Sequence, residues 1–558
     1  MNDTIKDLAH FSMKNTSKPL IIILLLAFVI NANAQSTIPN QNQDSLLPLV
    51  KLIDGKVQLN NLTLFDKNTE LENLYLEISL SNFVRSKTFV QSPVRIEIER
   101  IINGKTERIE IARFFLPWIN DKSSGKSVFL FDISAYGSLF KKAVKLNIET
   151  NNYIQPLALN MRFQWKNGQA PIKAKKIINL WRSDISGFSY SDKNLPINRQ
   201  FKPKVVIIPK EIKYAQIKIY LSGWGKENIK PTEAECSKFY FLKINNQEIA
   251  KRPIWRDDCS LNSIFPQDGP WTYSRANWCP GQVLRVYDHF ITLGTDTTIN
   301  INFQIQEAVN ANPLLSNYII SANLILFGEA LFKNDAAVVE ILSPNKSNAH
   351  NRYNPICSSP VIRVRNTGAD TLRSVLIHYG LNDKRDNRYR WRGELGFMEE
   401  EIVYLPPLNW YFYDHKNKPM IFSVSVEGVN NKIDEYAGNN SLASTINLAP
   451  VFSGKITIEF TTNSASVDNI LELVDDMGSP LFEAAEFINN TPYSYDLELV
   501  PGCYEFIAYD QEGNGIYFPG NKDGKGSLKI IDTKTKEVLV EFEPNFGAEI
   551  RQQFMVLK

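Results

Sequence analysis

The sequence is poor in the residues that carry most metal and nucleophilic chemistry. Its 558 residues include only five cysteines and five histidines. The histidines are scattered singly and do not form the closely spaced sets that hold copper or zinc: they are residues 10, 289, 350, 378 and 415. A Gly-x-Ser-x-Gly turn is also missing. These absences argue against a redox metal enzyme, a serine hydrolase or a cysteine protease, and we predict no cofactor and no metal.

An excess of charge of one sign is lacking as well. Lysine and arginine number 62 against 60 aspartates and glutamates, which leaves a formal charge of +2. Such a balance provides no field to attract nucleic acid or an acidic membrane surface. Beyond residue 30 no run is apolar enough for a membrane span. We therefore predict no nucleic-acid partner and no membrane span, and the composition leaves the oligomeric state open.

The N-terminus has the pattern of an export signal. Lys14 and Lys18 precede an apolar run at 20–30, and Ala32-Asn33-Ala34 supplies the small residues of a cleavage site. We predict a signal peptide at 1–34, cleaved near Ala34, and a secreted, periplasmic or cell-surface protein. The polar residues 35–54 are predicted to be a linker.

Alternation of apolar and polar residues dominates the rest of the chain. One example places Leu74, Leu76 and Ile78 on one face of an extended segment; another is 94–99, where apolar residues alternate with Arg95, Glu97 and Glu99. We predict an all-β fold of tandem jelly-roll β-sandwiches followed by two smaller Ig-like or accessory β-sandwiches. The predicted units are a first jelly roll with a bridging segment, a second jelly roll, an Ig- or fibronectin-III-like sandwich and a C-terminal sandwich, at 55–199, 200–330, 331–450 and 451–558.

The most distinctive segment, residues 255–281, reads WRDDCSLNSIFPQDGPWTYSRANWCPG and is called the cysteine loop below. In an exported chain Cys259 and Cys279 are predicted to close it as a disulfide. Its tryptophans then have two interpretations: they pack beneath a stapled surface loop, or Trp271 and Trp278 offer flat faces to a sugar while Arg275 points into a cleft.

Several motifs resemble the peptide-N-glycosidase F family. The cysteine loop is similar to that family's W-x-x-x-C, P-Q-x-G-x-W and R-x-x-W-C-P-G segments in the same order. Upstream, 222–225 and 233–236 resemble its Gly-x-Gly and Cys-Ala-Glu-aromatic-Cys segments, and 109–118, 131–140 and 145–150 resemble strands of its first sandwich. The resemblance covers about residues 60–328 and implies two jelly rolls with a glycan-binding cleft between them.

The family hydrolyses the amide that joins an N-glycan to asparagine. By this resemblance the catalytic residues are Glu149, Glu235 (or Glu233, if the gap falls differently) and Arg275. The substrate-binding residues, on the same basis, are Trp224, Trp271 and Trp278. The partner implied is an N-glycoprotein or a glycan.

One departure from the family is serious. The family's Cys-x-x-Trp-Asp-Arg turn holds its key aspartate, but the corresponding residues 79–99 contain no aspartate, tryptophan or cysteine. Asp66 or Glu77 could replace that carboxylate only in a rearranged cleft. Two functions follow: a diverged member that keeps a glycan- or glycopeptide-binding cleft, which we favour, or an active peptide-N4-(N-acetyl-β-glucosaminyl)asparagine amidase.

The other cysteines and an acidic loop are less informative. Cys236 lacks its family partner, Cys357 is best explained as a small buried apolar residue, and the state of Cys503 is open. Asp475-Asp476 and the loop 510–515, Asp-Gln-Glu-Gly-Asn-Gly, could supply oxygen ligands for calcium or could form two β-turns.

Overall fold

The computed structural model describes residues 43–81, 91–119, 127–151, 157–190, 194–225, 237–295, 297–307, 316–382, 384–410 and 420–557. The predicted signal peptide, Glu233, Glu235 and Cys236 lie outside these ranges. Within them the chain forms strands joined by turns and short 3-10 helices, so the all-β prediction is confirmed. These helices are Ser134–Lys141, Ile197–Arg199, Cys259–Leu261, Asn348–Tyr353, Val429–Asn431, Ala437–Asn439 and Ser466–Asp468.

The first unit is a jelly roll. Its strands are β1 Gln43–Leu46, β2 Val50–Leu52, β3 Lys56–Leu62, β4 Leu71–Ser81, β5 Pro93–Ile102, β6 Lys105–Phe115, β7 Val128–Asp132, β8 Val144–Thr150 and β9 Leu157–Asn167. One sheet has the order β1-β9-β4-β7, with β2 also on β9, and the other has the order β3-β8-β5-β6. Each sheet interleaves early and late strands, as the paired Greek keys of a jelly roll require.

The second unit repeats this order. Its strands are β10 Ile172–Arg182, β11 Phe188–Ser189, β12 Lys204–Ile207, β13 Tyr214–Gly225, β14 Phe239–Ile244, β15 Gln247–Pro253, β16 Tyr287–Thr292, β17 Thr298–Ile305 and β18 Ser316–Ala330. The sheets are β10-β18-β13-β16, with β11 on β18, and β12-β17-β14-β15. Side chains such as Ile217, Ile219 and Leu324 fill the space between them.

The third unit is a three-on-four sandwich. Its strands are β19 Ala336–Ser343, β20 Val361–Asn366, β21 Leu372–Leu381, β22 Asn387–Leu395, β23 Glu400–Tyr404, β24 Met420–Glu427 and β25 Ser441–Ile446. The sheets are β19-β20-β23 and β22-β21-β24-β25.

The fourth unit has sheets of five and four strands. Its strands are β26 Val451–Phe452, β27 Lys455–Thr461, β28 Asn469–Asp475, β29 Pro480–Ala484, β30 Pro492–Glu498, β31 Gly502–Asp510, β32 Ser527–Asp532, β33 Val538–Glu541 and β34 Glu549–Val556. The orders are β26-β34-β31-β28-β29 and β30-β27-β32-β33.

Three details differ from the sequence predictions. Residues 43–52, predicted to be linker, form β1 and β2 and pair with β9, because Val50 and Leu52 reach the first core. The bridging segment assigned to the first jelly roll contributes β10, which pairs with β18 of the second. Cys357 is not an isolated apolar residue, since it forms a disulfide with Cys503. The exact domain boundaries stay predictions.

The disulfide between Cys357 and Cys503 joins the third unit to the fourth. Its two cysteines are 146 residues apart, so the chain-entropy model gives it a stabilisation of about 5 kcal/mol. Two disulfides fit an oxidising, extracellular environment. In the described part of the chain, no helix has the length and apolar character needed to cross a membrane.

Candidate functional site

The site predicted from the sequence lies where the two jelly rolls meet. One face of the β3-β8-β5-β6 sheet packs on the apolar core of the first unit through residues such as Ile96 and Ile148. The opposite face carries charged side chains, and these are covered by β10 and β18 of the second unit. Arg113, for example, donates to the carbonyl of Ile319 in β18 at 2.9 Å. Alternation in β5 therefore separates an apolar core from a buried polar junction.

Three arginines and three glutamates form what we call the junction network: Arg95, Glu97, Glu110, Arg113, Glu149 and Arg182. Arg95, Glu97 and Glu110 have no exposed surface, and Arg113 has 1%. The three arginines balance the three glutamates, with each arginine bound to at least one of them. Each buried arginine of the network thus has a carboxylate partner, as the burial of charged groups requires.

Glu149 is the predicted catalytic residue that belongs to this network. Arg95 donates to its Oε1 through Nε at 2.9 Å and through a second guanidinium nitrogen, and Arg182 lies 3.4 Å away. Burial alone would raise the pKa of Glu149, but the charge and hydrogen bonds of Arg95, followed by the charge of Arg182, outweigh it and lower that pKa. Glu149 is therefore an ionised, tightly held hydrogen-bond acceptor.

The pair Glu110 and Arg113 lies deeper in the same junction. Arg113 holds the Glu110 carboxylate through two bonds of 2.7 and 2.8 Å, one to each oxygen. Burial raises the pKa of Glu110, although Arg113 opposes the shift. Arg113 also donates to Ser222 Oγ at 3.2 Å, which links the network to the end of β13 two residues before Trp224.

Trp224 is the one predicted sugar-binding tryptophan that keeps a partly exposed side chain. It lies near the end of β13, where its backbone pairs with Asn317 of β18. The preceding residue, Gly223, donates to the carbonyl of Ala276 in the cysteine loop at 2.9 Å. Glu149, Trp224 and the cysteine loop are thus all tied to the junction, through Arg95, Ser222 and Ala276.

The cysteine loop is closed as predicted. Cys259 and Cys279 form a disulfide with 5.3 Å between their Cα atoms. The loop also extends the first unit, because Phe115 donates to Gln282 at 2.9 Å and Gly281 donates back to Phe115 at 3.0 Å. Gly281 has a φ of +80°, and a Cβ there would lie 3.1 Å from the side chain of Pro117, so the close approach favours glycine.

Arg275 does not extend away from the loop. Its guanidinium lies over both Trp118 and Trp278, 4.8 and 4.9 Å from their ring centroids. It donates to the carbonyls of Pro270, Trp271 and Tyr273 and is only 8% exposed. In this arrangement Arg275 fixes the shape of the cysteine loop, through cation–π contacts and hydrogen bonds.

The burial of Trp271 and Trp278 does not fit the prediction that both rings offer open faces to a sugar. Trp271 has no exposed surface and Trp278 has 5%. Trp271 donates from Nε1 to Asn545 Oδ1 of the fourth unit at 2.9 Å, while Trp278 packs against Phe115 and Trp118. The exposed aromatic residue of the segment is Tyr273, at 57%. The sequence could not indicate that a later unit covers the loop.

The replacement carboxylates considered from the sequence lie elsewhere. Glu77 is on β4 of the other sheet of the first unit, next to Arg162 in register, and Asp66 is in the turn that precedes this strand. The sequence reasoning missed Asp184, which is exposed and lies beside the junction network. It directly follows Ser183, and the carbonyl of Ser183 accepts a hydrogen bond from Arg95 at 2.9 Å. Its carboxylate accepts from the amides of Ser186 and Gly187.

A cavity in the described part of the chain lies at a different place. It has a volume of about 1110 Å³ and lies among the first three units. Two ion pairs lie in its lining, Lys218 with Asp288 at 3.0 Å and Arg365 with Glu400. Glu149, Trp224 and Arg275 are not part of its lining, so it does not bear on the predicted site.

Comparison with known proteins supports the family resemblance. Residues 194–325 match the family model described as peptide-N-glycosidase F, C terminal. Solved structures of a recombinant N-glycanase F and of PNGase F, a glycosylasparaginase from Flavobacterium meningosepticum, match with 18% and 19% identity and TM-scores of 0.44 and 0.43. Each match covers 51% of this chain and 96% of the other. Among curated proteins there is no match.

Proposed function

Since the chain is peptide-N-glycosidase F-like and its residues 194–325 match that family's C-terminal domain, we propose that it is an exported protein that binds N-glycans or glycopeptides at the junction of its jelly rolls. The ligand would lie against Trp224 and beside Glu149, with the cysteine loop as one wall. Its partner would be a glycoprotein outside the cell, reached after cleavage near Ala34.

The state of Glu149 is the observation that carries this proposal. A general base works best when its pKa is near the working pH, whereas the pKa of Glu149 is lowered by Arg95 and Arg182. A carboxylate held in this way is a poor base but a well-positioned acceptor for sugar hydroxyls. The lack of aspartate in residues 79–99 supports the same conclusion.

The second candidate is the amidase itself, which the family model favours because residues 194–325 include Glu235 and Arg275. Amide hydrolysis needs an activated water and donors for the oxyanion. Glu235 and Asp184 are the carboxylates to test for that role. Each would have to act beside a Glu149 that stays ionised.

Two parallel assays distinguish glycan binding from amide hydrolysis. The purified full chain is incubated with a denatured N-glycoprotein, and mass spectrometry measures conversion of glycosylated asparagine to aspartate. In parallel, calorimetry measures binding of a glycopeptide. Binding without conversion supports the first function, conversion abolished by Glu235→Gln supports the second, and neither binding nor conversion refutes both.

Trp224→Ala tests where the ligand lies. Loss of one stacking contact should weaken glycopeptide binding about fivefold, since an aromatic contact contributes roughly 1 kcal/mol. Tyr404→Ala is the matched control, because Tyr404 is 71% exposed on β23 of the third unit. Equal affinities of the two variants would place the ligand elsewhere.

A further inference from the structure

A row of arginines lies along one edge of a sheet in the third unit. The strand that carries it, β22, is the outermost strand of the β22-β21-β24-β25 sheet. Its aromatic side chains, Tyr389 and Trp391, pack on the core of that unit, so Arg388, Arg390 and Arg392 lie on the opposite face. All three arginines are exposed, and successive ones are about 7 Å apart along the strand.

The neighbours of these arginines on β21 carry no negative charge. The residues in register with them are Ser374, Leu376 and His378. Within the described ranges, none of the three arginines forms an ion pair. Arg390 donates to Asn431 Oδ1 at 3.1 Å, which is a neutral acceptor, so three positive charges stand side by side.

The two carboxylates on this face are engaged by other residues. Glu394 follows the arginines on β22 and pairs with Arg373 at 3.1 Å. Glu427, at the end of β24, contacts the ring of His378 at 2.8 Å. The row therefore has no counter-charge in the part of the chain that the structure describes.

The turn before β22 adds to the same charge. A Cβ on Gly380 would overlap the carbonyl oxygen of Lys384, so this turn folds back against the end of β21. Lys384 and Arg385 are exposed there. Residues 384–392, KRDNRYRWR, thus carry five basic side chains and one aspartate, a net charge of +4, whereas the whole chain has +2.

Protection of a sheet edge is the simplest alternative explanation, since charged residues on an edge strand discourage pairing with another chain. Other edges of this protein do without such a row. The strand at the opposite edge of the same sheet, β25, has no charged residue, and β12, an edge strand of the second unit, has only Lys204. Because like charges repel one another, a row of arginines is costly where one charge or none suffices. The row is better explained by an anionic ligand.

We propose that β22 and the turn before it bind a linear anionic polysaccharide, one that carries carboxylate or sulfate groups. The planar guanidinium group of arginine binds such oxyanions through two parallel hydrogen bonds. The basic row is one strand wide, because β24 and β25 contain no lysine or arginine, and a single row fits a linear chain. The two disulfides fit an encounter with such a polymer outside the cell.

A nucleic acid fits this face less well. Proteins that bind single strands stack the bases on exposed aromatic rings, whereas Tyr389 and Trp391 face the core and Trp391 is only 3% exposed. The phosphates of a duplex lie on two backbones across a groove roughly 12 Å wide, and a single row of arginines contacts only one of them. We therefore expect a preference for the polysaccharide over DNA.

The test is binding of the full chain to two polymers, measured by calorimetry at increasing salt. Heparin oligosaccharides carry sulfates and carboxylates, and polygalacturonate oligosaccharides carry carboxylates alone. We expect binding that weakens with salt, because counterions are released, and no binding of neutral dextran. Binding of heparin alone would identify sulfate as the recognised group, and binding of both polymers would show that carboxylate suffices.

Two triple variants distinguish the row from general charge. Replacing all three arginines by serine, Arg388→Ser, Arg390→Ser and Arg392→Ser, should weaken binding about tenfold or more, since an exposed ion pair contributes roughly a factor of two to three. The control removes the same charge from exposed lysines of the other three units and should leave the affinity nearly unchanged; its substitutions are Lys105→Ser, Lys210→Ser and Lys534→Ser.

Three results would overturn the proposal: no binding of either polymer at low salt, equal weakening in the two triple variants, or duplex DNA bound as tightly as the polysaccharides. If the arginine variant does not fold, mass spectrometry of the wild type decides the question, because bound polymer must protect these arginines from a guanidinium-modifying reagent. Glycopeptide binding beside Trp224 and Glu149 should not change in the arginine variant, since both residues belong to the first two units. The failure of one proposal therefore leaves the other to its own test.

Discussion

The junction network makes a quantitative prediction about Glu149. Replacing it with glutamine removes one carboxylate from a network that pairs three arginines with three glutamates, and Arg95, with no exposed surface, loses its closest carboxylate. Breaking a buried ion pair from one side costs about 3–5 kcal/mol. We expect Glu149→Gln to lower the free energy of unfolding by roughly 3 kcal/mol, near the low end because Arg182 and Glu97 still interact.

A double-mutant cycle tests the physical reason for this cost. Arg95→Met should destabilise by a similar amount, and the double variant should be far more stable than the sum of the two changes predicts, by about 2 kcal/mol. The free energies of unfolding are measured in urea, with hydrogen exchange of the backbone amides of β5 and β8 as the probe. Additive effects of the two substitutions would refute the reasoning, because they would mean that the two charges do not compensate one another.

Three further predictions concern the accessory units. Burial raises the pKa of Asp335 to about 7. Its contribution to stability is therefore complete at low pH and is lost as the pH rises through about 7. When the free energy of unfolding is measured against pH, that of Asp335→Asn should decline less over this range than that of the wild type. Replacing Cys357 and Cys503 together by alanine should lower the free energy of unfolding by up to about 5 kcal/mol. Under non-reducing conditions the variant should have a lower Tm than the wild type, and under reducing conditions the two should not differ. Asn545→Ala should cost about 1–3 kcal/mol, because it leaves Trp271 Nε1 and the carbonyl of Gln267 without partners; an unchanged Tm would contradict this.

Residue alternation was enough to predict the fold class, because each sandwich buries one face of each strand. It was misleading in β5, where Arg95 and Glu97 alternate with apolar residues as they would on a solvent-exposed sheet. A second sandwich covers that face, and a periodicity of two cannot distinguish water from a polar interface. The only signal was compositional: arginines and glutamates in β5, β6, β8 and β10 occur in matching numbers.

The cysteine loop shows a similar limit. The export signal and the position of Cys259 and Cys279 at the two ends of the loop predicted the disulfide, and the aromatic residues predicted a rigid loop. Which aromatic side chains stay exposed depends on contacts nearly 300 residues away, such as that between Trp271 and Asn545. Those contacts are set by the position of the fourth unit, for which the local sequence carries no signal.

The contacts around the cysteine loop also argue that the accessory units belong to the site. Arg352 of the third unit donates to the carbonyls of Asn262 and Phe546 at 2.7 and 2.8 Å, and its guanidinium lies over Phe265. Gly547 of the fourth unit approaches so closely that a Cβ would lie 2.0 Å from the carbonyl oxygen of Ser260. A chain ending at residue 330 would expose Trp271 and lose all of these bonds. We therefore expect that truncated chain to unfold at a lower temperature than the first two units do in the full chain, with red-shifted tryptophan fluorescence. Unchanged fluorescence and Tm would mean that the loop keeps its shape without the cover.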